Sequence, residues 1–136
     1  MLERIYFNTE DDIELVGLLE TPNNPTNKVV ISIHGMQSNC LKTREHILSK
    51  TISEAGIAYF AFNNRGHELM TYTRKTNGEK LLNGGAVYED VLDGYYDIKG
   101  AINKMIELGF NDIYLQGHSL GCTKIVYGYN KLKQEN

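Results

Sequence analysis

The stretch DIYLQGHSLGCTK, residues 112–124, breaks from an apolar run into Gly117-His118-Ser119-Leu120-Gly121. A serine hydroxyl is a weak nucleophile until a turn lifts it clear of its neighbours and a base takes its proton. The spacing G-x-S-x-G has that meaning where a strand runs into it and a helix runs out of it. Glycines at 117 and 121 then have a steric purpose. The turn holds Ser119 in a strained backbone conformation, and side chains at the flanking positions would collide with the neighbouring strand and helix. The same turn aims the backbone N–H of Leu120, at the helix N-terminus, toward the place where an oxyanion would form on a substrate carbonyl. A second donor is needed, and His34-Gly35-Met36, after an earlier apolar run, can supply the N–H of Met36. The competing reading of Ser119 is a glycine-rich phosphate-binding turn. A P-loop opening at Gly117 would need glycine and then lysine where Cys122 and Thr123 stand, and there is no G-x-G-x-x-G.

The elements that must position this turn follow from hydrophobic period. Residues 2–7 (LERIYF) and 13–19 (IELVGLL) flank the acidic Glu10-Asp11-Asp12 and predict an antiparallel hairpin. After Pro22 and Pro25, KVVISIHG is a continuous Val/Ile run of the kind a strand buried on both faces requires. Leu41, Leu48, Ile52 and Ala55 form one helical stripe over 41–55, with Gly56 placed to end the helix. IAYFAFNNRG (57–66) repeats the buried-strand pattern, and the polar, glycine-bearing segment from His67 to Gly85 reads as a mobile surface loop. From Tyr88 to Leu108 the recurrence of Val91, Tyr95, Ile98, Ile102 and Met105 predicts a helix stopped by Gly109. Glu89, Asp90, Asp93 and Asp97 read as its first turn, which the helix dipole favours for acids, and its solvated face. DIYLQG is a further strand, and a helix is predicted from about Ser119 to Lys131. Such alternation means an α/β fold: a mainly parallel sheet with helices on both faces, led by an antiparallel hairpin.

Composition excludes several classes. The 136 residues are about one domain's worth of chain. Hydrophobic residues at 41%, charged residues at 23% and a net charge of −3 give no basic field for nucleic acid. The charged start MLERIYFNTEDD has no secretory h-region, and no run approaches the ~18 apolar residues of a membrane span, so a cytoplasmic address without membrane contact is expected. Cys40 and Cys122 are too few for a disulfide framework or a zinc site and read as reduced thiols.

Taken together, the hairpin with its DDIELVGLL second strand, the HGM loop at 34–36, the FNNRGH strand end at 62–67 and GHSLG at 117–121 resemble the N-terminal half of an α/β-hydrolase. The likeness is to small esterases and serine aminopeptidase-like hydrolases, and it covers nearly the whole chain. FNNRGH departs from the family's commoner Asp-x-Arg-Gly. The resemblance implies an acyl-Ser119 intermediate, backbone amides of Met36 and Leu120 as the oxyanion hole, and a supporting frame of His34, Gly35, Gly117, His118 and Gly121. The implied substrate is a small-molecule ester or acyl compound, with no metal and no organic cofactor.

The family's catalytic acid and histidine follow the nucleophile in chain order. Here all four histidines lie at or before Ser119. The resemblance gives His34 a structural hydrogen-bonding role; His118, adjacent to the serine on a tight turn, diverges from it; His46 reads as solvated. His67, in the loop after the fourth strand, is left as the candidate that could approach the pocket rim. The expectation is a single partial α/β-hydrolase domain over 1–136, weak or inactive alone, whose C-terminal strands, acid and histidine lie elsewhere. Residues around Ile113, Tyr114 and Leu115 would then form a sheet edge open to a complementary C-terminal chain or to self-association. The alternative is a non-catalytic remnant or interaction module binding through that edge.

Overall fold

The computed structural model describes residues 1–135, with Leu81 and Leu82 described by their backbone only. Seven strands form one sheet: β1 (Leu2–Asn8), β2 (Ile13–Glu20), β3 (Lys28–Ile33), β4 (Ala58–Asn63), β5 (Thr71–Lys75), β6 (Lys80–Gly84) and β7 (Asp112–Gly117). The helices are α1 (Thr43–Glu54), α2 (Gly94–Glu107) and α3 (Leu120–Glu135), with a short 3-10 turn at Val91–Asp93. The order across the sheet is β6-β5-β2-β4-β3-β7, with β1 paired to β2. β4-β3-β7 is parallel, and β1, β5 and β6 join antiparallel on the β2 side.

The parallel part of the sheet is where helices cover both faces, and the side chains of β4 sort accordingly. Ala58, Phe60 and Phe62 meet Ile98, Ala101 and Met105 of α2 in the larger core. Tyr59 and Ala61 face the other way, with Leu48 and Ile52 of α1 packed against them. Phe7 of β1 closes the larger core edge-on against Phe60 and Phe62, with ring centroids 5.9 and 5.3 Å away. Gly56 and Gly109 end α1 and α2 with φ of +87° and +97°, the left-handed conformation their sequence positions predict.

Four details depart from the sequence reading. Residues 67–85 are not a mobile loop: they contain the β5-β6 hairpin. Thr71-Tyr72-Thr73 is a strand-forming run, Gly78 takes φ +87° in the connecting turn, and β5 pairs with the free start of β2 at Ile13↔Lys75 and Glu14↔Arg74. The α2 segment begins at Gly94 and not near Tyr88, because the Asp90 carboxylate accepts the Leu92 N–H and caps the 3-10 turn first. Asp97 and Glu89 are not on a solvated face. Asp97 accepts from Arg65 Nε at 2.9 Å and from the Arg65 backbone N–H at 2.9 Å, and Glu89 turns inward to Lys124. In α1, Leu41 precedes the helix and is exposed, as is Ala55. The buried residue of that helix is Glu45, whose carboxylate accepts from Ser32 Oγ at 2.8 Å and Tyr59 OH at 2.7 Å.

At the far side of the sheet, β7 pairs with β3 alone among the described residues. Beside it, Ile113, Tyr114 and Leu115 of β7 join Ile102 of α2 and Ile125 and Tyr129 of α3 around an open apolar groove of about 510 Å³. No helix among the described residues is long and apolar enough to cross a membrane.

Candidate functional site

β3, β4 and β7 are parallel, so their carboxyl ends lie on one side of the sheet, where crevices of open α/β sheets form. β7 enters the Gly117–Gly121 turn there and α3 leaves it. Ser119 adopts φ +53°, a left-handed conformation that L-residues rarely hold without surrounding support. The support is tight packing. A Cβ on Gly117 would lie 2.7 Å from the Cys122 nitrogen, and one on Gly121 would lie 2.1 Å from the Ile33 carbonyl oxygen. The first glycine therefore lets the strand approach its own helix, and the second lets the helix approach β3. His118 N–H donates to Ile33 O at 3.2 Å, and Cys122 N–H donates to Ser119 O at 2.9 Å, closing the turn. Both His118 and Ser119 are exposed.

The segment after β3 lies against this turn. A Cβ on Gly35 would be 3.1 Å from Ser119 Cβ and 3.1 Å from the His118 carbonyl oxygen, so only glycine permits the approach without displacement. Gly35 O accepts the Ser38 N–H at 3.3 Å across a turn whose third residue, Gln37, has φ +58°. Gly35 O also lies 2.8 Å from His34 Nδ1. His34 Nε2 accepts the backbone N–H of Asn64 at 3.1 Å, which leaves the proton on Nδ1 and makes that atom the donor to Gly35 O. Because a trans peptide is planar, holding the Gly35 carbonyl inward points the Met36 N–H of the same peptide the opposite way, out of the turn.

His34 is 2% exposed. Burial pushes its pKa down to about 4, with the nearby Lys124 charge acting in the same direction. A ring that is neutral, with both nitrogens engaged, is a structural group and not a general base. His67 has Nδ1 2.8 Å from Asn64 O and lines a small cavity with Glu14, Asn63 and Arg74 between β2 and β5. His46 is exposed on α1. In the FNNRGH strand end, the Asn63 side-chain carbonyl accepts the Cys40 N–H at 2.8 Å, tying the end of the 34–40 segment to β4. Arg65 anchors the same strand end: its Nη1 and Nη2 reach both Asp11 carboxylate oxygens at 2.7 and 3.0 Å.

The meeting of Lys124, Glu89 and Asn64 escaped the sequence reading. Lys124 is 1% exposed; its ammonium lies 2.6 Å from Glu89 Oε2 and 3.4 Å from Asn64 Oδ1. Two glycines make the room. A Cβ on Gly94 would press on the Lys124 stem at 3.0 Å, and a Cβ on Gly66 would fall 2.0 Å from Glu89 Oε2. The available signal was a lysine four residues after Leu120, on the same helical face as a residue of the turn.

No protein-family profile matches the chain, and no curated protein matches it in sequence. Solved structures do. Est1E from Butyrivibrio proteoclasticus, with ferulic acid bound, superposes with a TM-score of 0.74 at 22% identity, over 96% of this chain and 48% of that one. The Pyrococcus furiosus esterase Pf2001 gives a TM-score of 0.73 at 21% identity, over 98% of this chain and 48% of that one. The α/β hydrolase GrgF from Penicillium sp. sh18 gives 0.73 at 18% identity, over 94% and 41%. The chain has the α/β-hydrolase fold and spans about half the length of the esterases and hydrolases it superposes on.

Proposed function

We propose that this chain is the nucleophile-bearing part of a serine hydrolase that cleaves carboxylic esters through an acyl-Ser119 intermediate. The observation that carries the reading is Ser119 held at φ +53° between β7 and α3 with Gly35 packed against it. In this reading Ser119 Oγ attacks the ester carbonyl carbon as its proton passes to a base. The carbonyl oxygen becomes an oxyanion facing the Met36 and Leu120 N–H groups. Collapse of the adduct breaks the C–O bond to the alcohol, which takes the proton from the base; water then repeats the sequence on the acyl-serine. In this reading Met36 and Leu120 approach the developing oxyanion from two different segments, so the pair forms a hole only while the 34–38 turn and the start of α3 keep their spacing.

His34 is occupied at both ring nitrogens, and His67 is turned to Asn64 O. The base and the acid are therefore proposed to come from sequence outside residues 1–136. The half-length match to solved esterases and hydrolases supports this. The test is labelling of Ser119 by an organophosphate-type probe in a protein carrying residues 1–136 together with the sequence that completes the fold. Serine-dependent labelling lost in Ser119→Ala is expected, and a folded protein of this kind that never labels refutes the hydrolase reading. The β7 edge, unpaired among the described residues, and its apolar groove favour a second reading, a non-catalytic module that binds another chain at that edge; binding by such a folded, unlabelled protein is the result that would select it.

A further inference from the structure

A buried ammonium–carboxylate pair is an unusual thing to place beneath a catalytic turn, because the desolvation of two charges cancels most of their attraction. An apolar pair of similar volume is often at least as stable. The structure nevertheless clears space for this one at two glycines, Gly66 under the Glu89 carboxylate and Gly94 under the Lys124 stem. The side chains of the pair are 1% and 3% exposed, for Lys124 and Glu89 respectively. What the pair touches accounts for the room it is given.

Lys124 lies one turn beyond Leu120 on the same face of α3, so it moves with the Leu120 N–H. Its ammonium reaches Asn64 Oδ1 at 3.4 Å, and the same Oδ1 accepts the Gly66 N–H at 3.0 Å, which fixes the amide's orientation. The other end of that amide, Nδ2, faces His34 O at 3.5 Å, while the Asn64 backbone N–H donates to His34 Nε2 at 3.1 Å. His34 Nδ1 then holds Gly35 O at 2.8 Å, and Gly35 O is the carbonyl of the peptide that carries the Met36 N–H. Glu89 brings in a fourth segment, the connection from β6 to α2. One polar chain thus runs from the helix that bears one amide of the crevice to the peptide that bears the other.

We propose that Lys124 and Glu89 are positioning residues that set the spacing of the Met36 and Leu120 amides across the crevice, acting through Asn64 and His34. This rests on the serine-hydrolase reading and adds to it a group that touches neither substrate nor serine. A point charge suits this role, since three donors on one nitrogen can engage Glu89 and Asn64 together, which no apolar side chain of the same volume can do.

The test compares the full-length protein with the double variant Lys124→Met/Glu89→Leu, which removes both charges and keeps the volume, and with Glu89→Gln, which keeps the shape and removes one charge. Far-UV circular dichroism and cooperative unfolding report folding. The discriminating readouts are kcat against KM for a short activated ester, and affinity for a trifluoromethyl ketone, which forms the oxyanion, against that of the matching methyl ketone, which does not. Loss of one oxyanion donor costs roughly 10²–10³ in kcat. Mispositioning is expected to fall short of that: a drop of about 10- to 100-fold in kcat with KM nearly unchanged, a parallel loss of trifluoromethyl ketone affinity, and unaltered methyl ketone affinity. Glu89→Gln should fall between the double variant and the parent. Equal kcat in a folded double variant overturns the positioning role, as does a change confined to KM. If the double variant does not fold, Glu89→Gln decides alone: parental kcat and trifluoromethyl ketone affinity overturn the proposal. A parent protein that neither labels at Ser119 nor turns over ester overturns the hydrolase reading, and this inference with it.

Discussion

Acidification from pH 7 to pH 4 should destabilise this fold through His34, by an amount the structure sets. Burial holds the folded ring's pKa at about 4 against an ordinary 6.5. Protonation would also convert Nε2, which accepts the Asn64 N–H at 3.1 Å, into a second donor facing a donor. Between these two values the unfolded chain binds a proton that the folded chain refuses. Stability from this group is therefore complete above pH 6.5, falls as the pH drops through the window, and loses nothing more below about 4. The window is 6.5 less about 4, and at ~1.36 kcal/mol per pH unit the full loss is about 3 kcal/mol. That is a large part of the ~5–15 kcal/mol of a typical domain.

The measurement is urea unfolding at intervals from pH 7 to pH 4, on the protein and on His34→Asn, whose amide can still donate to Gly35 O. His46, His67 and His118 are present in both proteins, so the difference between the two curves isolates His34. The variant should be less stable at pH 7, and the gap should narrow toward pH 4. The titration of the His34 ring by NMR checks the premise directly. A midpoint near 6.5, or two curves that run parallel through the window, would refute the idea that His34 is held neutral by burial and by its acceptor role.

Further outcomes are expected from the tight glycines and from the open sheet edge. Gly121→Ala places a methyl 2.1 Å from a backbone oxygen of β3 that cannot rotate away, and should cost about 3 kcal/mol in urea unfolding; Gly109→Ala, with open space around it but φ +97°, should cost only about 1 kcal/mol. Residues 1–136 alone should self-associate through the β7 edge, and Tyr114→Lys should weaken this by charging an exposed position on that edge, so sedimentation of a sharp monomer at high micromolar concentration would show that the edge does not pair.

Much of the architecture was legible because it rests on local period and on steric rules that act over a few residues. The Val/Ile run of β3 and the alternating environments of β4 could belong only to strands covered on both sides, and Gly56 and Gly109 announced helix ends that their positive φ values bear out. The turn at 117–121 was legible for the same reason: the collisions that exclude side chains at Gly117 and Gly121 occur with the adjoining helix and strand. The β5-β6 hairpin was missed because Arg74, Lys75, Glu79 and Lys80 make the segment read as a polar loop and it gains its place by pairing with the start of β2, far earlier in the chain. Nothing in the local pattern of 71–84 reports that pairing.

The inward turn of Glu89 and Asp97 marks the same boundary from the electrostatic side. An acid near a helix start has a sufficient local explanation in the helix dipole, so the sequence offers no reason to look further. What overrides that explanation is a cation delivered from another segment: Arg65 from the end of β4 for Asp97, Lys124 from α3 for Glu89. Arg65 follows the carboxyl end of β4, and Lys124 lies on the helix after Ser119. The acids that local reasoning assigns to solvent thus tie the segment after β4 to α2, and the β6–α2 connection to α3. A substitution at Glu89 or Asp97 should therefore act on the geometry of the crevice, although neither residue lies in any motif that identifies it.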